Sequence, residues 1–154
     1  MLTNGIRFTK VWSDEDLVEL RIEVSDGTSF FSNLVYVGHA DLADTVSRLD
    51  AFTHHIHGGL LDVRFGEFGP EYASGAFHAR FHFPKPGKLY VTSQQESDFQ
   101  QFSLKTVASC ATLYIKSEPA LLERFVEELK ALSAGSGEHA FLEGGGAWPS
   151  DSNG

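Results

Sequence analysis

Seven histidines are the residues of this chain best suited to chemistry, because imidazole serves both as a metal ligand and as a base near neutral pH. Three of them, His54, His55 and His57, crowd into the stretch THHIHGG. Their spacing matches no zinc motif, such as two histidines four apart on a helix with a glutamate between them. The single cysteine, Cys110, excludes the cysteine-rich structural zinc sites as well. No metal and no cofactor is expected.

His78, Arg80 and His82 alternate along FHARFHF, so a strand there projects all three from one face. Arg21, flanked by Glu19 and Glu23, and Arg64, close to Asp62, are expected to face the same side from other strands. Arg21, Arg64, His78, Arg80 and His82 are therefore the candidate binding residues, a mixed-charge sheet face able to anchor a polar partner. The plainer reading of the same row is the solvated face of a sheet whose other face packs on helices.

Nothing points to catalysis. No Ser, Thr or Cys stands paired with a base. Cys110 sits in the strand-like run VASCATLYI, where a buried, inert thiol is expected. GGGAW follows no strand, and no Walker-type lysine accompanies a glycine run. Glu127-Glu128 and Asp14-Glu15-Asp16 read as solvated charge.

The formal net charge of −9 disfavours nucleic acid and anionic membranes as partners and steers a basic protein inward. One cysteine cannot close an internal disulfide, which fits a cytoplasmic location. Met1 to Trp12 lacks the pattern of a signal peptide, and no run reaches the roughly 18 apolar residues of a membrane span.

The elements that must hold these residues are legible in outline. Val18, Leu20, Ile22 and Val24 alternate with polar residues, and Phe77, Ala79, Phe81 and Phe83 do so again. Asp26-Gly27 marks a turn. The strand from Thr28 to Gly38 has apolar residues on both phases, which predicts a central strand covered on both faces. A long strand is expected over 102–116, with Ser117 capping the helix behind it.

Tyr36-Val37, Leu42, Val46 and Leu49 are echoed by Tyr114-Ile115, Leu122, Val126 and Leu129: a strand running into an amphipathic helix, twice. The expected fold is α+β: one mainly antiparallel, twisted sheet of about six or seven strands, two helices on one face, in two sheet-then-helix halves. Residues 1–133 form a single domain in this reading. Residues 134–154, rich in Gly and Ser, form a flexible tail.

DLVELRIEVSDG, VYVGHADLADTVSRLDAF and LYIKSEPALLERFVEELKAL carry a family likeness. Across residues 5–133 the chain resembles a loose group of small bacterial proteins, some of them toxin-immunity proteins of the wall-associated-protein type. The likeness is structural and transfers no catalytic residue. It implies a non-enzymatic protein that binds and blocks a cognate toxin, here a basic one. The alternative is a binder of a small or lipid-like ligand, with thirteen Phe lining a cavity between sheet and helices.

Overall fold

The strand–helix echo proves to be the tail end of a longer repeated unit. The computed structural model describes residues 3–70 and 75–145. Three strands, β1 (Gly5–Ser13), β2 (Leu17–Ser25) and β3 (Phe30–Gly38), lead into helix α1 (His39–Phe52) and strand β4 (Leu60–Phe65). The second unit repeats that order with β5 (Ala76–Lys85), β6 (Lys88–Glu96), β9 (Cys110–Ser117), α2 (Pro119–Ala134) and β10 (His139–Glu143). A small hairpin, β7 (Gln100–Phe102) and β8 (Lys105–Val107), interrupts the second unit between β6 and β9.

The fold is α+β with antiparallel pairing throughout the described ladders, but the strands divide between two sheets instead of joining one. One sheet has the order β10-β1-β2-β3, the other β4-β5-β6-β9, and β7-β8 stands apart. The reason is a strand exchange. Each helix carries the chain away from the sheet that launched it, so β4 pairs with β5 and β10 pairs with β1. A sheet-then-helix pattern records that each helix follows a strand. It holds no information on which sheet receives the next one.

Alternation puts one face of each sheet into a common core with the helices. Leu42, Val46 and Leu49 of α1 and Leu122, Val126 and Leu129 of α2 are all buried, at the helical spacing their sequence shows. Phe8 of β1 sits among rings from the other sheet and α2. It meets Phe65 at 5.9 Å, Phe77 at 5.5 Å and Phe125 at 5.5 Å, each edge to face. Phe52 of α1 stacks on Phe83 at 5.2 Å. The phenylalanines pack on one another here; they fill the interior.

Local chemistry sets the element ends. Pro119 opens α2, where its missing N–H is one the helix could not use, and Gly135 closes it at φ 88°. Glu118, not Ser117, occupies the N-cap position of α2. The Ser117 hydroxyl instead donates to the Glu143 carbonyl at 2.7 Å, tying β9 to the end of β10.

Three further expectations give way. The strand 30–38 is an edge strand, with Phe30, Leu34 and Tyr36 exposed, because no strand follows it into its own sheet. The long strand expected over 102–116 splits into β7, β8 and β9. The expected flexible tail from 134 is folded through β10, where Ala140 and Leu142 are fully buried beside β1. Trp148 and the rest of 146–154 lie outside the described residues.

Candidate functional site

The outer face of the β4-β5-β6-β9 sheet gathers most of the predicted site. Register places Asp62 opposite Arg80, Arg64 opposite His78, and Leu60 opposite His82. The Arg80 guanidinium donates to both Asp62 oxygens, at 3.0 and 3.3 Å, and His78 Nε2 lies 2.9 Å from Asp62 Oδ1. The Arg80 hydrogen bond is the chief reason the Asp62 carboxyl is held below its ordinary value of 3.8, with His78 helping. Arg80 therefore spends its charge on a carboxylate of its own sheet, and His78 contacts the same carboxylate. Arg21 does not join them: it sits in β2, on the outer face of the other sheet, between Glu19 and Glu23.

Three other histidines, His54, His55 and His57, line a cleft of about 380 Å³ with Gly58 and Gly59. Among the described residues no group of three or more His, Cys, Asp or Glu is placed to hold a metal ion. Cys110 is exposed at the start of β9, against the expectation of burial, because β9's outward phase begins there.

The other sheet presents a different surface. Val11, Trp12, Leu17, Leu34 and Tyr36 are all exposed on or beside its outer face, with Trp12 edge-on to Tyr36 at 6.4 Å. Carboxylates crowd the same end. Asp14, Glu15 and Asp16 form the β1–β2 connection, Asp41 lies in the first turn of α1, and Glu19 pairs across from Tyr36. Glu19's charge and its hydrogen bond raise the Tyr36 phenol above its ordinary value. Asp14 Oδ1 accepts from the backbone N–H groups of Asp16 and Leu17, both at 2.8 Å, which fixes the connection in place.

The opposite end of β3 faces the β7-β8 hairpin across a groove of about 510 Å³. Two buried amides bolt these parts together. Gln95 Nε2 donates to Asn33 Oδ1 at 2.8 Å and to the Ile22 carbonyl at 3.0 Å. Asn33 Nδ2 donates to the Glu96 carbonyl at 2.9 Å and to that of Ala76 at 3.2 Å. Gln95 is the last residue but one of β6, the strand that feeds the hairpin, so this latch fixes the hairpin's base against β3.

Sequence reasoning passed over Trp12, Tyr36 and the Asn33–Gln95 pair. The signal for the first two was an apolar residue on the polar phase of a strand. For the amides there was none, because their pairing spans two sheets. No protein-family model matches the chain, and neither does any curated protein or solved structure.

Proposed function

We propose that the protein is a non-catalytic binding module that captures a basic protein, in the manner of an immunity protein blocking a toxin. The observation that carries this reading is the exposed Trp12–Tyr36 pair with Leu17 and Leu34, set among Asp14, Glu15, Asp16 and Glu19. Exposed aromatics beside a run of carboxylates are the composition of a contact centre: rings supply the apolar area and carboxylates steer an oppositely charged partner, with Arg21, opposite Leu34, a cation on the same face. A lysine or arginine of that partner could lie over either ring.

The interior supports a protein partner over a lipid-like ligand, since the phenylalanine rings occupy the space a ligand would need. The paired state of Asp62, His78 and Arg80 moves the contact away from the histidine row and toward the Trp12 face. The reading sets the protein in the cytoplasm, where an unpaired Cys110 stays reduced. No helix among the described residues is long and apolar enough to cross a membrane.

The test is co-expression with toxins encoded beside the gene, scored for rescue of growth. Rescue by the natural protein and its loss in Trp12→Ala, at roughly 2 kcal/mol or more of binding energy, is the expected result. Rescue untouched by both Trp12→Ala and Tyr36→Ala would place the contact elsewhere.

A further inference from the structure

The duplicated fold supplies its own control. In the first unit β2 and β3 are joined at once: the Asp26 N–H donates to the Ser29 carbonyl, with 27–28 forming the whole turn. In the second unit the equivalent bond is also made, from the Ser97 N–H to the Ser109 carbonyl at 2.8 Å, yet 98–108 intervene. The ladder positions match, since Ser25 pairs with Phe30 just as Glu96 pairs with Cys110. The fold needs only the short turn. The added hairpin has no counterpart in the first unit and buries little of itself: Phe102 is 69% exposed and Leu104 96%.

We infer that the groove between this hairpin and β3 binds an extended segment of the basic partner, an apolar side chain with a lysine or arginine near it. The inference rests on the reading of the protein as a binding module. Phe31, Phe102 and Val107 give the groove an apolar lining, and Gln100 offers an amide to an extended backbone. Among the described residues that line it, Asp98 is the one carboxylate and none is a lysine or arginine, so the lining favours a partner cation; Lys105, opposite Phe102 in the hairpin, is a cation close by. A volume of about 510 Å³ lies within the range of roughly 300–1,000 Å³ usual for small recognition sites.

Both walls are set before any ligand arrives. The Ser109 N–H donates to Ser97 Oγ at 2.9 Å, closing the hairpin's base. Near the tip Gln101 Nε2 donates to the Ser103 carbonyl at 2.9 Å, across a turn in which Ser103 holds φ 56°. The Asn33–Gln95 latch fixes the opposite wall. Ordering cost on binding is correspondingly small.

The experiment uses the full chain, immobilised and panned with a phage-displayed library of random linear peptides. Enriched peptides should carry an apolar side chain near Lys or Arg. A synthetic copy of one should bind Phe102→Asp and Asp98→Lys at least about tenfold more weakly than the natural protein. Replacing 97–109 with Asp-Gly-Thr-Ser, the sequence of 26–29, should abolish binding and leave the thermal midpoint within a few degrees. If that shortened chain fails to fold, the two point variants decide, because both positions lie in the hairpin segment outside the core. No enrichment, or peptides that bind Phe102→Asp as well as the natural protein, overturns the groove. Peptides that survive hairpin replacement but are lost in Trp12→Ala leave the sheet-face reading standing and the groove refuted. Peptides indifferent to both count against both.

Discussion

The two units, 5–65 and 76–143, run through the same strands, helix and exchanged strand, and even share a register shift in the first strand, at Lys10/Trp12 and at His82/Lys85. They differ at the junction of their second and third strands. There the first unit has a tight turn and the second a hairpin. Beneath it the matched interior positions differ too. Gln95, which pairs with Phe77 and Ala111, corresponds to Val24, which pairs with Ile6 and Phe31. Asn33, opposite Ile22, corresponds to Leu113, opposite Ser93. One of two equivalent places is apolar and the other holds a hydrogen-bonded amide pair, and the amides lie where the hairpin must be held. What the units share is what the fold requires; where they part, the molecule acquires a groove.

The largest effect expected is mutual dependence of the units. Removing 135–154 takes β10 from the sheet of the first unit, with the buried Ala140 and Leu142, and should unfold the protein or cost more than about 4 kcal/mol by thermal denaturation. A midpoint left unchanged would mean that the exchanged strand is ornamental. Next come the matched helix positions. Leu49→Ala and Leu129→Ala should each cost roughly 2–5 kcal/mol in urea unfolding, and by similar amounts. A clear inequality would show that one unit carries the core.

The amide latch offers a sharper probe. Gln95→Val takes the Gln95 donor from the buried Asn33 Oδ1 and should cost roughly 1–3 kcal/mol. Adding Asn33→Leu installs the apolar residue types found at the equivalent place, Val24 and Leu113, so the double variant should recover part of that loss in a double-mutant cycle. A double variant worse than the sum of the singles would break the equivalence of the two places. Ser93 makes the same comparison in reverse. Its buried hydroxyl, with no partner, stands where the first unit has Ile22. Ser93→Ala should raise stability by about 1 kcal/mol in urea unfolding.

The smallest effect belongs to the polar sheet face. Asp62 has a folded value below 3.8, so its contribution is present above that pH and lost as pH falls through the folded value. Arg80→Ala removes the main cause and should shrink this loss, so the natural and variant proteins should differ less in acid than near neutrality. Asp62 is partly exposed, which keeps the difference small. Equal pH profiles would show the Asp62–Arg80 pair to be energetically idle.

Periodicity was enough to identify β2, β5 and both helices, because alternation and helical spacing are local and each reports which side of an element faces the core. The buried Leu42, Val46, Leu49, Leu122, Val126 and Leu129 follow from it directly. The row His78, Arg80, His82 was legible for the same reason, as one face of one strand. The contact of His78 and Arg80 with Asp62 depended on a pairing between strands.

The sequence by itself determined the two-fold repetition, the inward residues and the acidic charge, since each is a property of composition or of neighbours along the chain. Tertiary structure alone decided that β4 and β10 change sheets, that 30–38 lies at an edge with Tyr36 beside Trp12, and that Asn33 meets Gln95. Those facts rest on contacts between residues far apart in sequence. Alternation says which way a side chain points; it does not say which strand lies beside it.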